Sequence, residues 1–409
     1  MIFNSLIFMV PVLFYKKNLN LMTISKLLLV LLIISINING ANFFRTKEIF
    51  FFSLIFTGFI FGDYSKIKPL ILMLFLYFVS LFVNLILPGS NVDAFQGLYF
   101  SLGFLYLLLL IFDNDKFWNV TINAYLFSAK VVSLFVIIVW LICFIWNDIK
   151  WQLIAYFETV ENDNVAFIFM IRSRKILDWW LPGVYYSTAP CMIPALAYYL
   201  SHSIRNNSNT NKISCILLSL GLILTAARAN ILAAFILLFL YFMAINYQRK
   251  RIFLSILFSV IASFGSLIIL YLLVSDVSEG SLALKALHKE AYIREFSLDY
   301  FRTIVFGWGA GSSFFTAGFN EYTMLTELTL YETVRRYGLI SSILMLLFIW
   351  FPPVYNSFRG KIKLNTAYLG IALLLYISVA STNPFLLGSI GFCALFFFSS
   401  AINRSLCNS

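Results

Sequence analysis

A single arginine, Arg228, interrupts the apolar stretch at 224–235, which reads LTAARANILAAF. A charged side chain at that depth in a membrane is costly unless it is paired or hydrated, so Arg228 is a candidate functional residue. A guanidinium keeps its charge and holds phosphate oxygens in pairs, which suits an anionic ligand. The alternative is that Arg228 marks a tight turn between two helices and snorkels to the surface.

A second candidate group begins at Glu327, in the stretch ELTLYETVRRYGLISSILMLL. Glu327, Tyr331 and Arg335 are four residues apart and share one face of a predicted helix that runs directly into an apolar span. A carboxylate here could act as a general base. The alternative is a solvated helix end with ordinary pairs such as Glu332 with Arg336, which contribute a few tenths of a kcal/mol.

Two long polar segments carry most of the acidic residues. Of 18 Asp and Glu, five lie in 147–180 and eight lie in 276–336. The first segment places Arg172 near Trp179 and Trp180, and cations beside indoles suit a bilayer interface, where simple anchoring would also explain them. Long ordered connections are often functional, so we expect chemistry in these two segments.

The second segment, 275–336, is predicted to contain short amphipathic helices. Ile293, Phe296 and Tyr300 form one stripe of a helical pattern, and Arg294 and Arg302 form another. His288 lies in the polar run HKE, so we expect it at the surface.

A glycine turn, GWGAG at 307–311, ends the helical pattern of the second segment. The turn has no strand before it and no GK[ST] after it, so it does not indicate nucleotide binding.

The elements that must position these residues are membrane helices. Hydrophobic residues make up 61% of the 409 positions and charged residues 11%, which leaves too little polar surface for a soluble protein. We predict an all-α polytopic membrane protein, a single integral membrane domain over 1–409, with about 12 transmembrane helices (roughly 11 to 14). The predicted helices are 21–38, 47–62, 69–87, 96–112, 126–146, 181–200, 212–226, 229–246, 252–274, 337–354, 365–381 and 385–402.

Charge distribution predicts the topology. The net charge is +11, and the basic residues form short clusters between spans, which indicates cytoplasmic loops rather than nucleic-acid binding. Because the basic clusters mark alternate connections between predicted spans as cytoplasmic, both long segments, 147–180 and 275–336, are predicted to lie on the outer face. Arg45 and Lys47 do not fit this alternation. The five cysteines are scattered without a CxxC pair, so neither a disulfide framework nor a metal site is predicted.

The order of these motifs resembles that of the O-antigen polymerase (Wzy) and O-antigen ligase superfamily. The matching pieces are TAARAN at 225–230, FGWGAG at 306–311, GLIS at 338–341 and TNPFL at 382–386. In the ligases a His-Asn pair opens the helix eleven residues before the glycine of GLIG, and here Glu327 occupies that place. Arg172 and Gly183 match the Arg-x10-Gly spacing described for some polymerases, whereas Arg294 is followed by Gly307, two residues beyond it.

The resemblance implies a polymerase of the bacterial inner membrane that acts at the periplasmic face. An acceptor sugar hydroxyl of one undecaprenyl-diphosphate-linked glycan would attack the anomeric carbon of another, and the lipid diphosphate would leave. No cofactor is expected, the reaction would be metal-independent, and a chain-length-determining co-polymerase would be the expected partner. The implied catalytic residues are Glu327, Arg228 and Arg294, with His288 as an alternative base, and the implied substrate-binding residues are Arg172, Arg302, Tyr331 and Arg335.

Three other interpretations stay open. An O-antigen ligase would share the fold and the reaction type, although its His-Asn pair is missing. A lipid-linked oligosaccharide flippase would be expected to show internal repeats and charged residues from several spans, neither of which the sequence contains. A membrane protein with a structural role is the third.

Overall fold

The computed structural model describes residues 20–38, 45–86, 93–159, 169–176, 179–205, 209–250, 279–324, 326, 328–359, 363–381 and 386–407. These residues are mostly helical, with two short antiparallel hairpins. The α-helices of the first half are α1 (Leu21–Ile38), α2 (Thr46–Gly58), α3 (Lys68–Ile86), α4 (Ala94–Ser101), α5 (Asp115–Ile145), α6 (Asn147–Thr159), α7 (Met192–Arg205), α8 (Asn209–Leu224) and α9 (Arg228–Gln248).

The second half continues with α10 (Glu279–Leu298), α11 (Tyr300–Val305), α12 (Thr329–Tyr337), α13 (Leu339–Met345), α14 (Phe351–Phe358), α15 (Leu364–Ala380) and α16 (Ser389–Cys407). A 3-10 helix spans Leu102–Phe112, and a π-helical turn at Leu346–Trp350 joins α13 to α14. The hairpins are β1 (Phe169–Ile176) with β2 (Trp179–Tyr186), and β3 (Phe314–Thr316) with β4 (Glu321–Thr323).

Six helical segments among the described residues are long and apolar enough to cross a membrane: Leu21–Ile38, Tyr64–Val83, Asp115–Ile145, Arg228–Gln248, Leu339–Phe358 and Ser389–Cys407. Each overlaps a predicted span, although the helix Asp115–Ile145 begins eleven residues before the predicted span 126–146. The predicted spans 96–112, 212–226 and 365–381 form shorter apolar helices, and 47–62 forms α2 and a 3-10 turn. The predicted span 252–274 lies outside the described residues. The chain is therefore a helical membrane protein.

The predicted span 181–200 is partly wrong. Residues 181–186 belong to strand β2, and helix α7 begins only at Met192. Pro182 and Gly183 disfavour a helix there, and Pro190 stands in the 3-10 turn that leads into α7. The first long polar segment therefore extends beyond Asp178 and includes a hairpin.

The core is centred on α16 and α7. Every residue from Phe392 to Phe398 is buried, as is every residue from Met192 to Ala197. A helix that is apolar all round has to be surrounded by other helices, and α7, α15 and α5 pack around α16. Phe397 stacks on Tyr125 with ring centroids 4.2 Å apart, which joins α16 to α5.

The buried carboxylate of Asp113, two residues before the start of α5, connects three elements. Its Oδ2 accepts hydrogen bonds from Lys66 Nζ at 2.8 Å, Ser399 Oγ at 2.6 Å and Asn403 Nδ2 at 2.7 Å. Its Oδ1 accepts from Trp118 Nε1 at 2.7 Å. A buried charge with this many donors is well compensated, so Asp113 stabilises the packing of α5, α16 and the turn before α3.

We expect Asp113→Ala to lower the free energy of unfolding by about 2 kcal/mol, because four donors lose a charged acceptor. Lys66 is partly exposed and can be rehydrated, which limits the loss. The matched control is Asp115→Ala, an exposed residue two positions further on, for which we expect no more than a few tenths of a kcal/mol. Unfolding of the purified protein in detergent measures both, and equal stability of the two variants would contradict the role of Asp113.

Candidate functional site

Helices α10, α11 and α12, with hairpin β3–β4 and the glycine turn, form one folded unit at 279–338, called here the α10–α12 unit. The predicted stripe of Ile293, Phe296 and Tyr300 is wrong, because Ile293 and Tyr300 are exposed. Helix α10 ends at Leu298, and Asp299 Oδ1 accepts a hydrogen bond from the Arg302 amide at 2.9 Å to begin α11. Because Asp299 caps the start of a new helix, the helical periodicity of α10 does not continue into α11, and residues of the two helices do not share one stripe.

The buried face of α10 instead carries His288, Ala291 and Tyr292. The prediction of a surface histidine is wrong: His288 is fully buried, with Nδ1 2.7 Å from Thr316 Oγ1. The His288 ring also packs edge-on against Phe319 at 4.5 Å between centroids. His288 therefore joins hairpin β3–β4 to α10, which does not suit a general base for a large substrate.

A buried ionic cluster lies on α12. Glu332 Oε1 is 2.6 Å from Arg335 Nη2, Glu332 Oε2 is 3.2 Å from Arg335 Nε, and Arg336 Nε also donates to Glu332 Oε1. The exposed fractions are 4% for Glu332, 0% for Arg335 and 7% for Arg336. The interpretation of Glu332 and Arg336 as a solvated surface pair is therefore wrong.

Residues far along the chain complete this cluster. Tyr292 OH donates to Glu332 Oε2 at 2.6 Å, and the Thr326 hydroxyl lies 2.6 Å from the same phenol oxygen. Arg335 Nη1 donates to Ser312 Oγ at 2.6 Å, and Arg335 Nη2 donates to the Ser312 and Met324 carbonyls at 2.9 and 3.2 Å. The cluster thus joins α10, the glycine turn, the end of β4 and α12.

The electrostatics of the cluster fix its protonation state. Burial alone would raise the pKa of Glu332, but the Arg335 and Arg336 guanidiniums outweigh it and lower the pKa to about 2. Burial and the neighbouring Glu332 carboxylate raise the pKa of Tyr292 well above its usual value, so the phenol stays a donor. Glu332 is therefore a permanent carboxylate at neutral pH and does not suit a general base.

The glycine turn packs on the end of α12. The amides of Trp308 and Gly309 donate to the carbonyls of Arg335 and Arg336 at 2.6 and 3.1 Å. Gly307 has φ +71° and Gly338 has φ +83°. A Cβ on Gly307 would lie 2.5 Å from the Gly338 nitrogen. The turn therefore makes backbone contacts that only glycine permits.

We expect Gly307→Ala to lower the free energy of unfolding by about 2 to 3 kcal/mol, because the left-handed φ is strained for alanine and the new methyl overlaps backbone. The matched control is Gly103→Ala. Gly103 has no positive φ, and a Cβ at this position would come no closer than 3.3 Å to a neighbouring atom. Thermal unfolding in detergent compares them, and a Gly307→Ala protein as stable as the control would contradict the packing.

The α10–α12 unit brings four of the predicted site residues together. Arg294 is exposed, and its Nη2 donates to the Phe315 carbonyl at 3.0 Å. Tyr331 is half-buried and packs on the rings of Phe296 and Tyr292. Arg302 is buried, with its guanidinium carbon 4.3 Å from the centroid of Trp308.

Burial changes the interpretation of two of these residues. Arg335 has no exposed surface and uses all three guanidinium nitrogens inside the protein. Arg302 is 95% buried behind the glycine turn, since its exposed fraction is 5%. Both arginines therefore stabilise the α10–α12 unit. The predicted direct contact of Arg302 and Arg335 with substrate does not fit this burial.

The other predicted residues lie elsewhere. Arg228 begins α9 after Ala226, which has φ +52°, and the buried Arg228 Nε has no hydrogen-bond partner among the described residues. Arg172 pairs with Gly183 across hairpin β1–β2, so the Arg-x10-Gly spacing is that of a cross-strand pair. Glu327 and residues 382–385 lie outside the described residues.

Glu295 on α10 is a residue that the sequence analysis missed. It is half-buried, and burial raises its pKa, although Arg335, Arg294 and Arg302 oppose the rise. A carboxyl with a raised pKa among three arginines is suited to proton transfer. Its sequence signal was only its position beside Arg294.

Within the described ranges, no group of three or more His, Cys, Asp or Glu side chains is arranged to hold a metal ion. Comparisons with protein-family models, curated proteins and solved structures find no match to this chain.

Proposed function

We propose that this protein is a bacterial inner-membrane polymerase that joins undecaprenyl-diphosphate-linked oligosaccharide repeat units at the periplasmic face. The observation that carries the proposal is the contact between Gly307 and Gly338. These glycines belong to FGWGAG and GLIS, which in the sequence resemblance lie, respectively, within the large outer loop and at the start of the span that follows it. Their contact supports the idea that the motifs act as one unit, with the loop between them folded over the start of a span.

The proposed topology has about 12 spans, with 147–180 and 275–336 as periplasmic loops. It is supported by six candidate spans and by the folding of both long segments into elements that are not candidate spans. By the resemblance, both substrates are glycans on a lipid diphosphate carrier, so a catalyst embedded in the membrane would meet both at the bilayer surface.

The reaction transfers a glycan from one lipid diphosphate to a sugar hydroxyl of another. The acceptor oxygen forms a bond to the anomeric carbon as the bond to the diphosphate oxygen breaks. The hydroxyl proton goes to a general base, and undecaprenyl diphosphate leaves as the anion. We assign the base to Glu327, which stands two residues before the N-terminus of α12.

Arginines would stabilise the leaving diphosphate. Arg228 suits this role, because it stands at the N-terminus of α9, where the helix dipole also favours an anion, and its Nε is not used within the described structure. Arg294 is exposed and retains donors beyond its bond to Phe315, and Arg172 is proposed to contact the glycan. Arg302, Tyr331 and Arg335 are proposed as positioning residues that hold the α10–α12 unit.

The test is complementation in the native host. The gene is deleted, and lipopolysaccharide is separated on a gel with and without the wild-type gene restored at matched membrane abundance. We expect deletion to reduce the ladder to core plus one repeat and the wild type to restore it. Core without any repeat, with lipid-linked polymer accumulating, would indicate a ligase instead. An unchanged ladder would contradict both.

A further inference from the structure

Among the described residues, helix α11 carries an exposed apolar face on one side. Tyr300 is 68% exposed, Phe301 70% and Ile304 44%. At 100° per residue these three positions lie within one third of the helix circumference. Arg302 and Thr303, on the opposite side, are buried against the rest of the α10–α12 unit. The preceding Leu298 is also exposed and extends the apolar surface.

This face lies beside a candidate membrane span. Helix α11 packs against α13, the first part of the segment Leu339–Phe358. Leu339, Ile340 and Ile343 of α13 are apolar and exposed, as expected of a span that faces lipid. Helix α11, with its exposed apolar side chains, therefore lies beside the end at which this span begins.

Helix α4, which contacts the same glycine turn as α11, also exposes an apolar side chain. The Asp93 amide donates to the Gly311 carbonyl at 2.9 Å, which attaches the start of α4 to the glycine turn. Phe95 in the first turn of α4 is 87% exposed. Two short helices that contact the same turn thus both expose an aromatic ring.

We infer that α11, together with Phe95, lies in the headgroup region of the bilayer and inserts its exposed side chains among the lipids. Aromatic residues are enriched at this depth, and a helix with one apolar face that lies flat there needs no protein to cover it. A second copy of the chain is a less suitable occupant, because α11 packs against the beginning of a span whose own exposed residues are apolar. This assignment goes beyond the proposed function and does not depend on it.

The test places a nitroxide spin label at Phe301 in the full chain. Cys407, which is exposed, is replaced by serine, and the four buried cysteines are kept. Phe301→Cys carries the label, and the control is Glu321→Cys, a charged and exposed position on β4. Ile304→Cys provides a second label site if Phe301→Cys does not fold. The protein is reconstituted in nanodiscs of phosphatidylethanolamine and phosphatidylglycerol.

Collision of the label with oxygen, which concentrates in lipid, is compared with collision with a water-soluble nickel chelate. We expect the label at Phe301 to collide more with oxygen than with nickel, and the label at Glu321 to show the reverse. More nickel than oxygen at Phe301 would place the face in water. Infrequent collision of the label with both oxygen and the nickel chelate would mean that protein covers the face. Both of these outcomes would overturn the inference, and neither readout requires catalytic activity.

Discussion

Glu332→Ala is expected to cause the largest loss of stability, about 3 to 5 kcal/mol, because it leaves two buried guanidiniums without their carboxylate. The same change removes the acceptor of the Tyr292 hydroxyl, which connects α10 to α12. The free energy of unfolding in detergent measures the effect. We also expect Glu332→Ala to abolish polymer formation at ordinary growth temperature, since the α10–α12 unit would lose its shape.

The matched control for this change is Glu290→Ala, on the exposed side of α10. We expect its stability to stay within about 0.5 kcal/mol of the wild type. Glu332→Gln should fall between the two, because the amide oxygen still accepts hydrogen bonds but carries no charge. If Glu332→Ala were as stable as Glu290→Ala, the buried cluster would not be what holds the unit together.

The same cluster predicts a pH dependence. The arginines lower the folded-state pKa of Glu332 from the ordinary value of 4.5 to about 2, so folding favours the ionised form. The stability from this shift is fully present above the ordinary value and is lost as the pH falls from 4.5 towards 2. The Glu332→Ala variant should lack this part of the acid sensitivity, so the stability gap between wild type and variant should narrow in that range.

Glu327→Gln is expected to have the largest effect on rate, a loss of roughly 10²- to 10⁴-fold, because a glutamine cannot accept the hydroxyl proton. Stability should change little. Initial rates of lipid-linked polymer formation by purified protein measure the loss. The control is Glu321→Gln, an exposed carboxylate on the neighbouring strand β4, for which we expect the wild-type rate.

A Glu327→Gln rate equal to that of the Glu321→Gln control would remove Glu327 from the mechanism. Glu295→Gln would then be the next variant to measure, because its raised pKa and three neighbouring arginines also suit proton transfer. The group that acts as base sets the acidic limb of the pH profile of the rate, so the variant that removes the base should lose that limb and the other variant should keep it.

The helical membrane fold could be predicted from the sequence because long apolar runs have one outcome in a bilayer. All six candidate spans overlap predicted ones. Strand β2 at Trp179–Tyr186 is missed because its residues are apolar enough to extend the next span, and only Pro182 and Gly183 disfavour a helix there. A short apolar run is compatible with either a helix or a strand, and pairing with another strand in the folded protein decides which of the two forms.

The ionic cluster was only half predictable. The spacing of Glu332, Arg335 and Arg336 indicates that they can meet on one helix, but the same spacing occurs on solvated helices. Their burial comes from Tyr292, Ser312 and Met324, which lie between 11 and 40 residues along the chain from the cluster residues to which they are hydrogen-bonded. His288 was misjudged for the same reason, because its polar sequence neighbours are exposed while Thr316 and Phe319 cover its own ring.

Synthesis by the isolated protein tests the proposed polymerase activity without other enzymes of the host. Purified wild-type protein is reconstituted in vesicles with the host's lipid-linked single repeats, and the products are separated by length. We expect a ladder of lipid-linked polymers, with one undecaprenyl diphosphate released for each new glycosidic bond, and no ladder from Glu327→Gln. Single repeats that stay unchanged in the presence of folded wild-type protein would contradict the proposed activity.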